Sequence, residues 1–209
     1  MAQRVLGVLG GLDLSLETLI MWARSADVVY AADSAVDRLL PAGIEPIVVG
    51  DLDSCTSDLH GLRVVRDIDP NSTDCDKLLA LAAHDGHKSL TLAGLEGDLL
   101  DHVLATLSSV VAANLAVRLV LRRSLGILIK GGGRAIEPGL HGKRVSLIPL
   151  VPCSGASLTG VLWEFADQPL TVGGFLSVSN EGTGTVVASL RTGAALLIFE
   201  KPVDEQAIW

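Results

Sequence analysis

Short apolar runs alternate with segments of helical spacing through the first half of this chain. The runs that predict strands are residues 5–9, 28–32, 47–49, 62–65, 90–93 and 115–121. The segments that predict helices are residues 15–25, 35–40, 74–84 and 100–113. Nearly continuous apolar runs are typical of strands that are buried on both faces. The alternation therefore predicts an α/β domain with a Rossmann-like parallel sheet, right-handed crossovers and helices on both faces.

The pattern changes after about residue 125. Glycine pairs separate segments of alternating polarity, such as residues 144–148 and 185–190, and no further helical spacing follows. Residues 191–193 read as a turn that leads into the apolar run 194–199, so this region predicts a β-hairpin. We therefore expect two domains: an α/β domain over 1–125 and a smaller antiparallel β-sandwich over 126–209.

Composition and charge exclude several classes of protein. The chain has 209 residues, of which 49% are apolar and 19% charged, which argues against disorder. Its formal net charge of -8 argues against a surface that binds nucleic acid. Cys55, Cys75 and Cys153 have no metal-ligand spacing, which favours a reduced, cytoplasmic protein.

Membrane and export signals are not expected either. The first apolar run is too short for a signal peptide. Polar residues interrupt the longest apolar region, residues 103–121, so it predicts a core helix followed by a strand rather than a membrane span.

Aspartates mark several boundaries of the predicted elements. They are Asp33, the pair Asp51 and Asp53, the pair Asp74 and Asp76, and Asp101. The carboxyl ends of parallel strands meet at one edge of a sheet, so we expect these carboxylates to converge there. Crowded carboxylates repel one another unless a cation such as Mg²⁺, with its phosphates, lies between them. Each aspartate alone is equally compatible with a helix cap or a turn.

Familiar catalytic loops are missing from the chain. There is no phosphate-binding loop of the Gly-x-x-x-x-Gly-Lys-Ser/Thr type, no Gly-x-Gly-x-x-Gly after the first strand, and no serine nucleophile elbow. The remaining hypothesis is phosphate transfer in which carboxylates hold Mg²⁺ and the metal neutralises phosphate charge.

The aspartate motifs resemble, in order and spacing, those of thiamine pyrophosphokinases. They are Ala31-Ala32-Asp33-Ser34-Ala35, Val49-Gly50-Asp51-Leu52-Asp53-Ser54, Thr73-Asp74-Cys75-Asp76-Lys77 and Asp101-His102. The resemblance continues into the second domain with Thr159-Gly160-Val161-Leu162-Trp163 and Ser177-Val178-Ser179-Asn180-Glu181. It thus covers nearly the whole chain.

This resemblance implies an activity, its substrates and an assembly. It implies transfer of the pyrophosphoryl group of ATP to thiamin, which yields thiamin diphosphate and AMP with Mg²⁺ as cofactor. It also implies a homodimer with sites between subunits. The reaction expected is in-line attack of the thiamin hydroxyl on the β-phosphorus, with a clustered aspartate accepting the proton.

The resemblance also implies roles for single residues. The catalytic residues would be Asp51, Asp53, Asp74 and Asp101, the first three of which would hold Mg²⁺. The ATP side would include Asp33, Thr73, Lys77 and His102. On the thiamin side, Trp163 would stack on the cationic rings, and Ser179 and Asn180 would hydrogen-bond the pyrimidine. Each of these roles has an alternative interpretation: Trp163 is a core residue of the second domain, residues 179–180 form a simple turn, and Lys77 lies on a solvated helix face.

Two departures from the family pattern leave other functions open. Leu99 stands where the family has an arginine, Asp98 adds a carboxylate, and Ser34 follows Asp33 where the family has glycine. Arg118, Arg122 or Arg123 are candidates to replace the missing charge. The alternatives are a related pyrophosphokinase for another alcohol, such as a hydroxymethylpterin, and a non-catalytic homologue that binds thiamin or a nucleotide.

Overall fold

The computed structural model describes residues 3–12, 14–200 and 208–209. These fall into two compact units: residues 3–122 with 208–209, and residues 123–200. The domain limits expected from the sequence, 1–125 and 126–209, stay a prediction. Ile208 is fully buried, and its carbonyl accepts a hydrogen bond from the Thr91 hydroxyl at 3.1 Å, so this part of the chain packs on the first unit.

A six-stranded parallel sheet forms the centre of the first unit. Its strands are β1 (Val5–Val8), β2 (Val28–Ala32), β3 (Ile47–Gly50), β4 (Val64–Arg66), β5 (Ser89–Ala93) and β6 (Ala116–Val120). Their order across the sheet is β4-β3-β2-β1-β5-β6. Every neighbouring pair is parallel, with Val5 opposite Val28 and Leu6 opposite Thr91.

Four helices connect these strands. They are α1 (Leu16–Ser25), α2 (Val36–Leu39), α3 (Asp74–His84) and α4 (Leu100–Ala112). The Ser15 side chain caps α1, and Thr73 caps α3. Single 3₁₀ turns, Asp33–Ala35 and Leu40–Ala42, flank the short helix α2.

The strand order creates a switch point between β1 and β5. From β1 the chain proceeds outwards through β2 and β3 to β4, whereas β5 leads to β6 on the other side. Right-handed crossovers in opposite directions place α1 and α2 on one face, and α3 and α4, which contact each other, on the other. Sheets of this kind bind ligands where the connections diverge, outside the carboxyl ends of the strands.

The predicted α/β class is confirmed, and most predicted elements are confirmed to within two residues. Helix α3 covers the predicted residues 74–84, because its capping box defines the start. The fourth strand begins at Val64 rather than residue 62, and it is an edge strand with two exposed residues, which weakens the apolar signal. None of the described helices is both long enough and apolar enough to cross a membrane.

The described residues of the second unit form strands without a helix. The strands are β7 (Leu125–Lys130), β8 (Arg134–Glu137), β9 (Arg144–Val161), β10 (Phe165–Leu170), β11 (Ser177–Ser189) and β12 (Thr192–Phe199). The 18-residue strand β9 is central to this β-sandwich. Its first half pairs with β12, and its second half pairs with β10. Strand β11 pairs with both halves of β9, and its second half also pairs with β8.

The predicted hairpin between residues 185–190 and 194–199 is wrong. Strand β12 runs antiparallel to β7 and β9, whereas β11 pairs with β8 and β9. The turn sequence therefore joins two strands that do not pair with each other. Alternating polarity and a glycine identify strands and a turn, but they do not determine which strands pair.

Candidate functional site

A cavity of about 490 Å³ opens at the switch point of the first unit. Leu9 and Gly94, which directly follow β1 and β5, line it. The acidic residues that line it are Asp33, Asp51, Asp69, Asp74 and Asp98, and Lys77 is the lining lysine. The convergence of Asp33, Asp51 and Asp74 expected from the sequence therefore occurs at a single cavity.

Three carboxylates form a compact group beside this cavity. One oxygen each from Asp33, Asp51 and Asp53 lies within 4.8 Å of the other two. Asp33 is only 6% exposed, and its Oδ1 has no hydrogen-bond partner among the described residues. Carboxylates held this closely suit a divalent cation with oxygen ligands. Asp74, expected as the third metal ligand, lines the cavity but lies outside this group.

Unusual backbone conformations build the group. Asp33 (φ +44°) and Leu52 (φ +67°) adopt left-handed conformations that non-glycine residues rarely occupy. Gly50 has φ +151°, and a Cβ there would lie 3.2 Å from the Cβ of Asp33. A side chain at residue 50 would therefore push Asp33 away. Such strain is often found at functional sites, where surrounding structure maintains it.

Burial and neighbouring charge both act on Asp33. Burial raises its pKa, and the negative charges of Asp51 and Asp53 act in the same direction, whereas a hydrogen bond from Ser54 opposes them. The site thus carries an electrostatic cost in the absence of a cation. Binding of a divalent cation would offset this cost and favour the ionised form of Asp33.

A buried lysine provides positive charge to the cavity. Lys77 is 6% exposed, and its Nζ lies 3.5 Å from Asp74 Oδ1. Burial raises the pKa of Asp74, while the charge of Lys77 counteracts this shift. The alternative interpretation of Lys77 as a solvated residue on the helix surface is wrong, because its side chain lies inside and lines the cavity.

Thr73 both lines the cavity and caps α3. Its hydroxyl donates to Asp76 Oδ2 at 2.7 Å and accepts from the Asp76 N–H at 3.1 Å. Thr73 is thus the N-cap of α3. This capping box fixes the first turn of α3, and Asp74 follows directly after the cap.

The loop before α4 places a different aspartate at the cavity from the one expected. Asp98 and His102 line it, and their side chains are 3.2 Å apart. Asp101 is exposed, is absent from the lining, and accepts a hydrogen bond from the His102 N–H. Leu99, which stands at the family's arginine position, is 65% exposed. The catalytic role expected for Asp101 stays a prediction.

Asp37 organises the loop that follows Asp53, and sequence reasoning missed it. Its carboxylate accepts hydrogen bonds from the Thr56 N–H at 3.0 Å, from the Thr56 hydroxyl at 2.7 Å and from the Ser57 N–H at 2.9 Å. Burial raises the pKa of Asp37, but these hydrogen bonds outweigh it and lower the pKa to about 2. An ionised Asp37 therefore ties α2 to the loop that carries the acidic group.

The arginine candidates for the missing charge differ in position. Arg122 is exposed, and its N–H donates to the carboxylate of Glu96. Arg118 lies within β6 and is half-buried. Neither Arg118 nor Arg122 lines the cavity.

The residues expected on the thiamin side lie together in the second unit. Trp163 occupies the bend between β9 and β10 and is 65% exposed, so the alternative interpretation as a core residue is wrong. Asn180 is buried, and its side-chain amide bonds to the backbone of Trp163. Ser179 is exposed with φ +56°, and its N–H donates to Ser146 Oγ at 3.1 Å.

Sequence reasoning also missed the acidic cavity residue Asp69, and it noted Asp98 as an added carboxylate without placing it in the cavity. Asp69 follows β4, and its carboxylate accepts hydrogen bonds from the Asn71 N–H and side chain, which lower its pKa. An aspartate before Pro70 has the signature of an ordinary turn. Its position after a parallel strand is the signal that indicates a cavity residue.

Solved structures of thiamin pyrophosphokinases share this fold. The Bacillus subtilis thiamine pyrophosphokinase has a TM-score of 0.76 at 23% identity, covering 95% of this chain and 99% of that one. The Geobacillus thermodenitrificans thiamin pyrophosphokinase has a TM-score of 0.78 at 21% identity, covering 97% and 99%. The Candida albicans thiamin pyrophosphokinase has a TM-score of 0.78 at 14% identity, covering 94% and 89%.

Two family profiles match the sequence itself. Residues 20–121 match the catalytic domain of thiamin pyrophosphokinase. Residues 135–197 match its vitamin B1 binding domain. The two matches follow one another in the order of the two compact units and together cover most of the chain. The chain therefore belongs to the thiamin pyrophosphokinase family.

Proposed function

We propose that this thiamin pyrophosphokinase transfers the pyrophosphoryl group of ATP to the hydroxyethyl oxygen of thiamin, with Mg²⁺ as its cofactor. The products are thiamin diphosphate and AMP. The observation that carries the proposal is the group formed by Asp33, Asp51 and Asp53 at the switch point, with a buried carboxylate oxygen that lacks a partner among the described residues.

The acidic group fits Mg²⁺. Asp33, Asp51 and Asp53 offer oxygen ligands, which this hard cation prefers, and Asp74 lines the same cavity. When bound, Mg²⁺ would neutralise phosphate charge and polarise the transferred group. The raised pKa of Asp33 supports this assignment, because a cation stabilises the ionised carboxylate.

The ATP side of the proposed site is the cavity of the first unit. Lys77 supplies a buried positive charge for the phosphates, while Asp74 fixes its ammonium group. Thr73 and His102 lie at the same cavity and complete the ATP side that we propose. The glycines after β1 and β5 allow backbone to approach a ligand closely.

The thiamin side is built around Trp163. Its exposed indole offers an electron-rich face to the cationic rings of thiamin. Ser179 is also exposed and is available to the pyrimidine edge. Asn180 belongs to this side through its bonds to Trp163.

The reaction is a direct in-line displacement. The thiamin hydroxyl oxygen forms a bond to the β-phosphorus as the bond from this phosphorus to the α,β-bridging oxygen breaks, and AMP leaves. A carboxylate of the acidic cluster accepts the hydroxyl proton.

We propose that the enzyme works as a homodimer with sites between subunits, as the family resemblance implies. We also propose a cytoplasmic location, because ATP is the phosphate donor and Cys55, Cys75 and Cys153 are free thiols.

The direct test is product formation by the purified chain. Incubation with ATP, Mg²⁺ and thiamin should yield AMP and thiamin diphosphate in equal amounts, separated by chromatography, and EDTA should stop the reaction. Asp51→Asn should lower kcat by about 1000-fold, since it removes the negative charge of a proposed Mg²⁺ ligand. Asp58→Asn, at an exposed turn, is the matched control and should retain activity.

Other outcomes would replace the proposal. Release of AMP with a hydroxymethylpterin but not with thiamin would identify a different acceptor. Binding of thiamin by calorimetry without any turnover would identify a non-catalytic homologue.

A further inference from the structure

We infer that Asn180 is a positioning residue that fixes the thiamin-stacking indole of Trp163 and makes no contact with thiamin itself. The inference rests on the proposed function in that Trp163 is taken as the stacking residue. Its physical basis is a set of side-chain to backbone hydrogen bonds that hold the bend between β9 and β10.

The amide of Asn180 clamps both sides of the Trp163 backbone. Its Oδ1 accepts from the Trp163 N–H at 3.1 Å, and its Nδ2 donates to the Trp163 carbonyl at 2.9 Å. These two bonds reproduce the pairing that a neighbouring strand would provide. They fix the backbone of Trp163 at a bend where β9 has ended and β10 has not begun.

The hydrogen-bonding capacity of this amide is fully used. Oδ1 also accepts from the Glu181 N–H at 2.9 Å, and Nδ2 also donates to Ser177 Oγ at 3.4 Å. A side-chain amide has two lone pairs and two N–H donors, so nothing remains for a ligand. Asn180 is moreover only 3% exposed. A direct bond from Asn180 to the pyrimidine would require one of these internal bonds to break.

The surrounding strand holds Asn180 in place. Residue 180 belongs to β11 and lies opposite Val145 of β9. Next to it, the Glu181 carbonyl accepts from the Leu162 N–H at 2.9 Å. Residues 162 and 163 are thus both bound to β11, so the bend has little freedom to move.

Fixing the indole matters because Trp163 is 65% exposed. An exposed aromatic side chain on a mobile bend would have to be ordered when thiamin binds, and that ordering opposes binding. With the backbone already fixed, thiamin meets a pre-organised face. Asn180 should therefore influence the KM for thiamin and leave the KM for ATP unchanged.

A double-mutant cycle separates this role from direct contact. Trp163→Ala should raise the KM for thiamin about tenfold, the factor that 1.4 kcal/mol produces. Asn180→Asp, which loses the Nδ2 donor, should raise it about fivefold in the parent protein and by less than about twofold in the Trp163→Ala background. Asn180→Ser, which introduces no charge, is the second variant in case Asn180→Asp does not fold.

Ser157→Ala is the matched control for the cycle. Ser157 Oγ accepts from the Asp167 N–H at 3.1 Å, so this variant also loses a side-chain to backbone bond between β9 and β10. It should leave the KM for thiamin unchanged. The inference would be overturned if the effects of Asn180→Asp and Trp163→Ala on the KM for thiamin multiplied in the double variant. It would also be overturned if Asn180→Asp changed the KM for thiamin and the KM for ATP equally.

A measurement without turnover tests the same link independently of the reaction. The chain labelled with 5-fluorotryptophan should give ¹⁹F resonances for Trp22, Trp163 and Trp209, and Trp163→Phe assigns one of them. Asn180→Asp should shift or broaden the Trp163 resonance and leave the buried Trp22 resonance in place. An unchanged Trp163 resonance would overturn the positioning role. Failure of the parent protein to make AMP would instead count against the proposed function.

Discussion

The two units of this chain place their candidate site residues by different means. In the first unit, Asp33, Asp51 and Asp74 follow the ends of strands or open a helix, and the parallel sheet brings them together. In the second unit, Trp163 lies in a bend that the buried side chain of Asn180 holds. One site depends on the topology of regular elements, and the other depends on a local hydrogen-bond network.

This difference determines what each site tolerates. A site at the edge of a parallel sheet depends on close approaches between strand ends, so it should be sensitive to added volume there. A site on a clamped bend should be sensitive to the loss of single polar atoms.

Gly94→Ala should have the largest effect on stability. A Cβ at Gly94 would lie 2.3 Å from the Leu9 carbonyl oxygen, and φ is +81°. We expect the free energy of unfolding to fall by about 3 kcal/mol or more, as measured by denaturant titration. Gly86→Ala has φ +90° but nothing within 4 Å of the new Cβ, so it should cost only about 1 kcal/mol. Equal losses would show that backbone strain, and not contact between the strand ends, matters here.

Lys77→Met should separate the ATP side from the thiamin side. It removes the cation beside Asp74 and leaves that half-buried carboxylate without its counter-charge. We expect kcat/KM for ATP to fall about 100-fold, because the phosphates lose a charge-assisted hydrogen bond, which contributes about 1.5–3 kcal/mol. The KM for thiamin should stay unchanged, as should both constants in the exposed control Lys88→Met. A parallel rise in the KM for thiamin would contradict the division between the sites.

Asp85→Asn should lower stability at neutral pH without affecting catalysis. Two hydrogen bonds from Arg63, at 2.7 and 2.8 Å, lower the pKa of Asp85 to about 2, and the Tyr30 hydroxyl adds a third bond. Because the folded pKa lies below the unfolded value of about 4, this stabilisation is present above pH 4 and is lost as pH falls towards 2.

The variant should therefore be less stable than the parent at pH 7, by about 1 kcal/mol given that Arg63 is half exposed. Thermal melts at pH 7 and near pH 2 provide the measurement, and the difference should nearly vanish in acid. A difference that persists at low pH would show that the lost bonds act independently of charge. The value of kcat should not change, since Asp85 precedes β5 and does not line the cavity.

Leu99→Arg should have the smallest effect, and a favourable one. It restores a positive charge at the position where the family has arginine, next to the cavity residue Asp98. We expect the KM for ATP to fall about threefold, as for a partly solvated charge contact. Leu104→Arg, at an exposed position within α4, should leave that KM unchanged. A rise in the KM for ATP would show that Leu99 itself contributes to the site.

The sequence predicted the first unit well because its signals are local. Apolar runs identify buried strands, and Thr73 with Asp76 determines where α3 begins. The convergence of Asp33, Asp51 and Asp74 then follows from the parallel topology. The sequence did not predict that Asp98, rather than Asp101, lies at the cavity. The two aspartates occupy similar positions in the sequence, and only the conformation of the loop before α4 determines which of them lines the cavity.

The second unit was less predictable because its contacts connect distant segments. The alternation of polar and apolar residues identified β11 and β12 as strands, but it could not show that each of them pairs with β9. Asn180 in a Ser-Asn-Glu motif suggested a ligand contact. Its four internal hydrogen bonds depend on the position of the Trp163 bend, which no local pattern encodes.

The long strand β9 has a consequence for the synthesis of this protein on the ribosome. Its partner β12 ends at Phe199, which pairs with Val145 near the beginning of β9. The six strands of the parallel sheet have all been synthesised by Val120, so that sheet can assemble while translation continues. The first half of β9 must instead wait, with the edge that pairs with β12 exposed, until β12 has emerged. We expect this interval to be the time at which the nascent chain is most vulnerable to aggregation and most dependent on chaperones.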